Sequence, residues 1–289
     1  MDVEPESSTP RLSVVIPTLD GYRNGCVPRL LESVQRQTIQ DVEIIMIKGV
    51  FPQGKAINQG AAQARGAVLM ILDDDSELAD AHVFERILHT LESDIRIGMA
   101  GASITLSPGS TPFQRRAAGQ FPRFQTPVVD AITDSDLACH GCCAFPKPIF
   151  DAIGGEREDI MRGLDPDLRQ RLRAAGYRVV LAPQARIYHP LPAGWKKLAR
   201  MFFRNGFGSA YAQKFQPESV YETHEDLHDK TFVARRSLGY RVARFPLRLV
   251  RALITFQEMR FVAYTSYAAG YLWGWLTAKE LTPHGNGPA

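Results

Sequence analysis

The stretch GKAINQGAAQARGAVLMILDDD, residues 54–75, contains a helix pattern, a strand pattern and a run of acids. Small and apolar residues at helical spacing over 56–64 predict a helix that packs closely on a sheet. The uninterrupted apolar stretch 67–72 predicts a buried strand. Because that strand leads directly into three consecutive aspartates, 73–75, we expect the carboxylates at the carboxyl end of a central strand, where open α/β sheets bind ligands.

Strand and helix patterns continue to alternate on both sides of this stretch. Apolar runs predict strands at 12–16, 42–47, 67–72, 97–104 and 177–182, and helical periodicity predicts helices at 27–34, 56–64, 83–91 and 164–175. Such alternation predicts a parallel sheet covered by helices on both faces. Prolines interrupt the pattern within 105–140, which predicts loops or short edge strands there. Beyond about residue 194, we expect helices without further strands.

Composition favours one large domain, alone or with an appendage. The 289 residues are 45% hydrophobic, which allows a sizeable core. The formal net charge of +3 is too small to indicate nucleic-acid binding. Four cysteines without a repeated spacing favour a reducing, cytoplasmic setting over a disulfide framework. Residues 1–10 are polar and acidic, so we expect a disordered tail without the features of a signal peptide.

Three adjacent carboxylates repel one another unless a cation or hydrogen bonds offset their charge. Carboxylate oxygens are natural ligands for Mg²⁺ and Mn²⁺, which in turn bind phosphate oxygens. Asp73, Asp74 and Asp75 therefore indicate a metal–diphosphate site. Two structural interpretations remain open, a solvated loop and a cap for a helix near Ala79.

A second cluster, Cys139-His140-Gly141-Cys142-Cys143, has a metal-like composition. It lacks a second pair of ligands at zinc spacing. We therefore interpret these residues as buried structural cysteines beneath an acceptor loop.

Five segments, in the order in which they occur here, resemble glycosyltransferase family 2. They are LSVVIPTLD (12–20), LLESVQRQT (30–38), the stretch 54–75, GCCAFPKPIFDAIGG (141–155) and GLDPDLRQRLRAAGYRVVLAPQARIYH (163–189). The ordered set, rather than any single segment, is specific. The resemblance implies a GT-A-like fold, an α/β, Rossmann-like, mostly parallel sheet sandwiched by helices, over residues 11–195. A helical, basic and aromatic extension would then occupy residues 196–289.

The resemblance also implies which residues bind the nucleotide. Pro17, Thr18 and Asp20 match the loop after the first strand, which holds the nucleoside. Lys55 and Asn58 match polar positions of the helix that follows the second strand.

One nucleotide-binding position departs from the family pattern. Lys48 stands where the family usually has an aspartate that reads the base. The departure leaves the base of the donor open.

The metal site is implied in the same way. Asp73 and Asp75 match the family's Asp-x-Asp pair, with Asp75 as the expected metal ligand and with Asp73 and Asp74 towards ribose or diphosphate. His189 matches a histidine that completes the metal or diphosphate site in some members. The resemblance thus implies Mn²⁺ or Mg²⁺ held by Asp73, Asp75 and His189, and a nucleoside-diphosphate sugar as donor.

Asp165 matches the catalytic aspartate of the family, and Asp167 matches the second aspartate of the same segment. A hydroxyl nucleophile needs a base to accept its proton, and a single carboxylate supplies one without a covalent intermediate. The family's glutamate before this aspartate is replaced by Leu164. A structural interpretation is also open, with Asp165 as an N-cap and Pro166 at the first helical position.

These features predict an inverting, metal-dependent transferase that moves a sugar to a hydroxyl of a saccharide or lipid-linked saccharide of a cell envelope. A cation would offset the charge that develops on the diphosphate leaving group. One alternative is a nucleotidyltransferase that makes the sugar nucleotide. It would need a basic, glycine-rich loop after the first strand, where this sequence has PTLDGYRNG (17–25). A catalytically silent module that binds sugar nucleotides or membranes is another.

The C-terminal segment allows three interpretations. Seven arginines within 235–260 alternate with apolar residues, and 261–278 carries no charge. The segment could be a helix packed on the catalytic domain, an amphipathic helix on an anionic membrane surface, or, least favoured, a spanning helix. The second interpretation predicts a cytoplasmic protein held on the inner face of the plasma membrane. Aromatic residues suited to that interface are Tyr264, Tyr267, Tyr271, Trp273 and Trp275.

Overall fold

The computed structural model describes residues 9–219 and 237–280. Its strands are β1 (Leu12–Thr18), β2 (Val42–Lys48), β3 (Val68–Leu72), β4 (Glu77–Leu78), β5 (Ile97–Thr105), β6 (Thr133–Asp134), β7 (Cys142–Pro146) and β8 (Arg178–Tyr188). Its helices are α1 (Cys26–Gln35), α2 (Gln53–Gln63), α3 (Val83–Ser93), α4 (Pro112–Gln120), α5 (Lys147–Ala152), α6 (Leu164–Ala174), α7 (Trp195–Phe215), α8 (Leu238–Ile254) and α9 (Glu258–Thr277). Most of the predicted disordered tail, and Arg235 and Arg236 of the predicted amphipathic segment, lie outside the described residues.

One mixed sheet organises the structure, with the strand order β2-β1-β3-β7-β5-β8-β4 and β6 paired with β8. Strands β1, β2, β3, β5 and β8 share one direction, because β1 is parallel to β2 and β3, β5 is parallel to β8, and β7 is antiparallel to both β3 and β5. Helices cover both faces. The predicted fold class, a mostly parallel sheet sandwiched by helices with helices after it, is confirmed.

Strand β7 is antiparallel to its neighbours, so its first residue, rather than its last, lies at the carboxyl edge of the sheet. The residues that precede β7 therefore also lie at this edge. Leu72, the last residue of β3, pairs with Cys142, the first residue of β7. Residues 139–141 therefore lie beside the aspartates that follow β3. The carbonyl oxygen of His140 accepts a hydrogen bond from the backbone N–H of Asp73 at 3.0 Å.

Apolar side chains fill both faces of the sheet. Along β1, Val14 and Ile16 join one cluster, whereas Val15 joins the other, as the two-residue period of a strand requires. Helix α2 approaches the second face so closely that a Cβ atom at Gly60 would lie 2.4 Å from Val15 Cγ1. This contact confirms the predicted small-residue face of α2.

Helix α4 lies within the region predicted as loops or short edge strands, so that prediction was wrong for residues 112–120. Thr111 and Gln114 form a reciprocal capping box at its start. Pro112, which suggested a break, occupies the first turn of the helix. Backbone N–H groups in the first turn have no acceptor within the helix, so the missing N–H of proline costs no hydrogen bond there.

Strand β8 continues to Tyr188, beyond the predicted end at residue 182. A bulge opposite residues 101–103 of β5 absorbs additional residues of β8, and Gln184 adopts a left-handed backbone there (φ 56°). The longer strand ends at the same edge of the sheet as β3.

The C-terminal helices include a tightly packed pair, α7 and α9. Cβ atoms at Gly206 and Gly270 would lie 2.0 Å from the backbone oxygens of Tyr267 and Phe203, so substitution would push the helices apart. One side of α9 is therefore packed on α7, but Leu272, Trp273, Trp275 and Leu276 of α9 are exposed, and α8 also leaves much of its surface exposed. Within residues 9–219 and 237–280, no helix has both the length and the apolar content needed to cross a membrane.

Candidate functional site

Neighbouring segments hold the three aspartates at the carboxyl edge of the sheet. Asp74 is 7% exposed and accepts a hydrogen bond from the Thr18 hydroxyl at 2.7 Å. Gln53 Nε2 donates to Asp73 Oδ1 at 2.9 Å. The chain then forms β4 rather than a helix near Ala79. A solvated loop and a helix cap are therefore both excluded as interpretations of this run.

Asp73, Asp75 and His189 form a group of candidate metal ligands. One ligand atom of each lies within 4.8 Å of the others, and Asp75 Oδ1 is 3.0 Å from His189 Nε2. His189 reaches the group because β8 ends at Tyr188, immediately before it. The three residues predicted as metal ligands are thus brought together by two different strands.

The local charges set the protonation of this group. Burial raises the pKa of Asp73 and Asp74. Burial also acts to raise the pKa of Asp75, but the hydrogen bond from His189 and the charges of His189 and Arg23 outweigh it and lower the pKa to about 2. Burial disfavours the charged form of His189, yet Asp75 raises its pKa above the usual value. A metal ion bound here would have to displace the proton of His189.

Arg23 is a site residue that no sequence pattern predicted. Its guanidinium lies 2.9 Å from Asp75 Oδ2 and 3.6 Å from Asp74 Oδ1. The backbone at Arg23 is left-handed (φ 46°). Asp20 stabilises this turn, because its carboxylate accepts hydrogen bonds from the backbone N–H groups of Tyr22 and Arg23 at 2.8 and 2.7 Å.

The other predicted nucleotide-binding residues surround the same edge. Pro17 is the last residue but one of β1, and Lys48, the last residue of β2, pairs with the neighbouring Thr18. The Lys48 side chain crosses Gly21 so closely that a Cβ atom at Gly21 would lie 2.6 Å from Lys48 Cε. Lys55 is half-buried in α2. Pro17 and Lys48 thus lie near the ends of adjacent strands, and Lys55 lies at the start of the helix that follows β2.

Asn58 connects α2 to the loop that follows Gly155. Its Nδ2 atom donates to the Glu156 carbonyl oxygen at 2.8 Å and to the Glu158 carboxylate at 3.0 Å. Its Oδ1 atom accepts from the Glu156 backbone N–H at 2.8 Å. The amide of Asn58 therefore fixes the position of Glu156.

Asp165 lies in the first turn of α6, and Gly163 is the N-cap with φ 98°. The interpretation of Asp165 as the N-cap was wrong by two positions. Asp165 Oδ1 accepts a hydrogen bond from the backbone N–H of His140 at 2.7 Å and lies 3.2 Å from His140 Nδ1, within ion-pair distance. Its side chain remains 33% exposed, so the carboxylate is both oriented and accessible. Asp167 is buried and accepts from Arg171 Nε at 2.7 Å.

His140 and Glu156 form a buried pair behind Asp165, and no sequence pattern predicted its role. His140 Nε2 lies 2.8 Å from Glu156 Oε1, and the two side chains are 3% and 0% exposed. Burial acts to lower the pKa of His140, but Asp165 and Glu156 outweigh it and raise the pKa to about 10. At neutral pH the imidazole is therefore charged, with Nε2 hydrogen-bonded to Glu156 and Nδ1 in an ion pair with Asp165.

Two of the three cysteines around His140 are buried, as predicted, whereas Cys139 is partly exposed. Cys142 and Cys143 are buried in β7. Burial raises the pKa of Cys139 to about 12, so its thiol stays protonated at neutral pH. Among the residues that the structure describes, this segment contributes to no group of candidate metal ligands.

Two solved structures share this architecture. The mannosyltransferase PcManGT of Pyrobaculum calidifontis, in complex with GDP-Man and Mn²⁺, has a TM-score of 0.55 and 15% identity, over 92% of this chain and 88% of that one. GalNAc-T7, with UDP, GalNAc and Mn²⁺, has a TM-score of 0.50 and 14% identity, over 73% of this chain and 52% of that one. The fold is therefore that of the GT-A class of glycosyltransferases.

Sequence comparison specifies the family within that class. The model of the family described as "Glycosyltransferase like family 2" matches residues 7–208, and the chain belongs to this family. The predicted family and enzyme class are confirmed. The uncharacterized protein y4gI of Sinorhizobium fredii (strain NBRC 101917 / NGR234) is 26% identical over 232 residues, which cover 64% of this chain and 25% of that protein. The chain thus spans about a quarter of the length of this curated relative.

Proposed function

We propose that the protein transfers a sugar from a nucleoside-diphosphate sugar to a hydroxyl group, with inversion at the anomeric carbon and with Mn²⁺ or Mg²⁺ at Asp73, Asp75 and His189. The observation that carries this proposal is the convergence of those three side chains within 4.8 Å at the carboxyl edge of the sheet. Residues 11–195 would form the catalytic domain and residues 196–289 its helical extension.

The donor set fits such an ion. Carboxylates suit Mg²⁺ and Mn²⁺ alike, whereas imidazole is a common ligand of first-row transition metals, so His189 favours Mn²⁺. Both solved structures contain Mn²⁺, one with GDP-Man and one with UDP and GalNAc. The metal would supply positive charge to the diphosphate as it leaves.

The residues of the chain itself would perform the remaining tasks. Thr18 and Asp74 fix the nucleotide-binding loop against the aspartates through their hydrogen bond at 2.7 Å. Asp165 accepts the proton of the acceptor hydroxyl, because its carboxylate is exposed on one side and held by His140 on the other. Arg23, already beside Asp74 and Asp75, supplies a second positive charge close to the diphosphate.

The nucleotide contacts are proposed at Pro17, Asp20, Lys48, Lys55 and Asn58 in addition to Thr18 and the aspartates. For Asp20 and Asn58, the contact would be indirect, because their side-chain oxygens accept backbone N–H groups that fix the neighbouring loops. Lys48 at the end of β2 would contact the base or ribose in place of the family's aspartate.

The acceptor is proposed to be a saccharide or lipid-linked saccharide of the cell envelope. A cytoplasmic protein at the inner face of the plasma membrane would meet both a cytoplasmic donor and a lipid-linked acceptor. The exposed surface of α8 supports this placement.

A thermal-shift screen of UDP, GDP, dTDP and CMP sugars with Mn²⁺ tests the proposal. A ligand that binds only the folded state raises apparent stability by mass action, so the correct donor should raise Tm and do so only with the metal. Donor hydrolysis by the same protein would separate an enzyme from a silent binding module. Synthesis of a sugar nucleotide from a nucleoside triphosphate and a sugar phosphate would instead favour the nucleotidyltransferase alternative. No metal-dependent shift with any donor would contradict the proposed site.

A further inference from the structure

The loop before α6 is held against helix α7 by an arginine. Arg162, in this loop, donates a hydrogen bond from its guanidinium to Asn205 Oδ1 of α7. Its Cδ atom would lie 3.1 Å from a Cβ atom placed on Gly208, about one turn further along the same helix. Arg162 therefore has a defined position immediately before Gly163, the N-cap of α6.

The positive charge of Arg162 has no carboxylate partner among residues 9–219 and 237–280. Its hydrogen-bond acceptor is a neutral amide, and the groups whose charges act on it are Arg204 of α7 and Tyr267 of α9. Arg204 likewise forms no ion pair with a residue in the described part of the chain. Burial and the like charge of Arg204 together lower the pKa of Arg162.

Arg162 nevertheless reaches solvent. Its side chain is exposed, although the surrounding protein removes enough water to lower its pKa. Both observations fit a side chain that lines a recess rather than a convex surface. A partly desolvated cation is costly without an anion, and repulsion from Arg204 adds to that cost. This recess at Arg162 therefore favours a bound anion.

Arg162 also lies close to the candidate base. Arg162 and Asp165 are three positions apart in the chain, so their Cα atoms lie within about 11 Å of each other. Asp165 is in the first turn of α6, and its side chain is 33% exposed. One acceptor molecule can thus contact both residues.

A phosphate group matches a pair of arginines, because each guanidinium can donate two parallel N–H groups to phosphate oxygens. The donor diphosphate is already assigned to the candidate metal group and Arg23. We propose that Arg162 and Arg204 bind a phosphate group of the acceptor, which is then a glycosyl phosphate or diphosphate rather than a neutral saccharide. The inference rests on the proposed function, because it takes Asp165 as the base.

Calorimetry with the full chain tests this proposal. The probes are the glycosyl phosphates of glucose, galactose, mannose and N-acetylglucosamine, each compared with its methyl glycoside at matched ionic strength. Divalent metal is left out, so that phosphate cannot bind through the candidate metal group. We expect at least one glycosyl phosphate to bind about tenfold more tightly than its methyl glycoside. Arg162→Gln and Arg204→Gln should each weaken that binding by about tenfold, the contribution of one hydrogen bond to a charged group.

A matched control separates these two arginines from the general charge of α7. Arg200 lies one turn before Arg204 on α7 and is not among the charges that act on Arg162, so Arg200→Gln should bind the glycosyl phosphate like the unaltered chain. Arg162→Lys keeps the charge and should lose less binding than Arg162→Gln. Without ligand, Arg162→Gln should leave Tm unchanged or raise it, because the repulsion from Arg204 is removed. A purely structural role would lower Tm instead.

A second comparison identifies the source of the phosphate. A hexosyl diphosphate with a short prenyl chain is measured beside the soluble glycosyl phosphate of the same sugar. Tighter binding of the prenyl compound would support a lipid-linked acceptor, and equal binding would support a soluble one. The phosphate subsite is supported in both cases.

Several outcomes would overturn the proposal. They are equal binding of the glycosyl phosphates and the methyl glycosides, binding of inorganic phosphate as tight as that of the glycosyl phosphates, and the same loss in Arg200→Gln as in Arg162→Gln. Weaker binding of UDP or GDP with Mn²⁺ in Arg162→Gln, without weaker binding of the glycosyl phosphate, would assign the arginines to the donor and overturn it as well. The donor-induced thermal shift of the unaltered chain with Mn²⁺ is a separate measurement and reports on the proposed function alone.

Discussion

The charge of Asp75 should affect two measurable properties, the stability of the folded protein and the binding of the metal ion. The two carboxylate oxygens of Asp75 lie 3.0 Å from His189 Nε2 and 2.9 Å from Arg23 Nη2. These contacts lower its pKa from 3.8 to about 2, against the opposing effect of burial. The difference corresponds to about 2 kcal/mol of stability of the folded protein at neutral pH.

The substitution Asp75→Asn keeps the shape of the side chain and removes its charge. In the absence of metal, the free energy of unfolding should fall by about 2 kcal/mol at pH 7, measured by urea denaturation. Because the folded-state pKa is lowered, the contribution of Asp75 is present above pH 3.8 and is lost as the pH falls towards 2. The difference between the two proteins should therefore disappear in strong acid.

The second effect of Asp75→Asn concerns the metal. Mn²⁺ and a nucleoside diphosphate at about 100 times their Kd should stabilise the unaltered chain by about 2.7 kcal/mol. The variant should lose the dependence of nucleotide binding on Mn²⁺, measured by calorimetry. Asp151→Asn is the matched control, because this exposed carboxylate of α5 pairs with Lys147 and lies outside the group of three. Unchanged metal dependence in Asp75→Asn, or equal loss in Asp151→Asn, would refute the reasoning.

Other substitutions test the remaining parts of the structure. Asp165→Asn should lower transfer by about 10²–10⁴-fold without changing the donor-induced thermal shift, and transfer close to normal would assign the base elsewhere. Glu156→Gln removes one partner of a buried ion pair and should lower the free energy of unfolding by about 3 kcal/mol in urea denaturation. His140 has a raised pKa, so its contribution to stability is complete below pH 6.5 and is lost as the pH rises through about 10. Across this range, the free energy of unfolding measured by urea denaturation should fall more steeply in the unaltered chain than in His140→Gln. Gly270→Ala places a Cβ atom 2.0 Å from a backbone oxygen of α7 and should lower Tm, whereas Gly119→Ala, with open space around its Cβ, should not.

The fold was predictable from the sequence because its main elements carry regular patterns. The apolar run 67–72 indicates a strand and the spacing over 56–64 indicates a helix, and the small-residue face of that helix packs through Gly60 on Val15 of β1. Helix α4 was missed because Pro112 and the prolines on either side of the helix were interpreted as breaks, although Thr111 and Gln114 form a capping box that is recognisable in sequence. The direction of β7 was not predictable, since an apolar strand reads the same in a parallel and an antiparallel pairing.

The candidate metal group was predictable for a different reason. Asp73 and Asp75 follow one strand and His189 follows another, and parallel strands end at the same edge of a sheet. Arg23 was not predictable in this way. Its position depends on a left-handed turn that the side chain of Asp20 holds together, and the sequence of the loop does not indicate where the guanidinium points.

His140 precedes the antiparallel strand β7 and connects the candidate metal group with the candidate base. Its backbone carbonyl accepts from Asp73, which follows β3, and its backbone N–H donates to Asp165, in the first turn of α6. One peptide segment thus fixes the spacing between the candidate metal group and the candidate base. The His140 side chain adds an ion pair with Asp165 and is itself held by the buried Glu156. Because both backbone bonds survive any change of side chain, a substitution at His140 should disturb the orientation of Asp165 and leave its distance from the aspartates nearly intact.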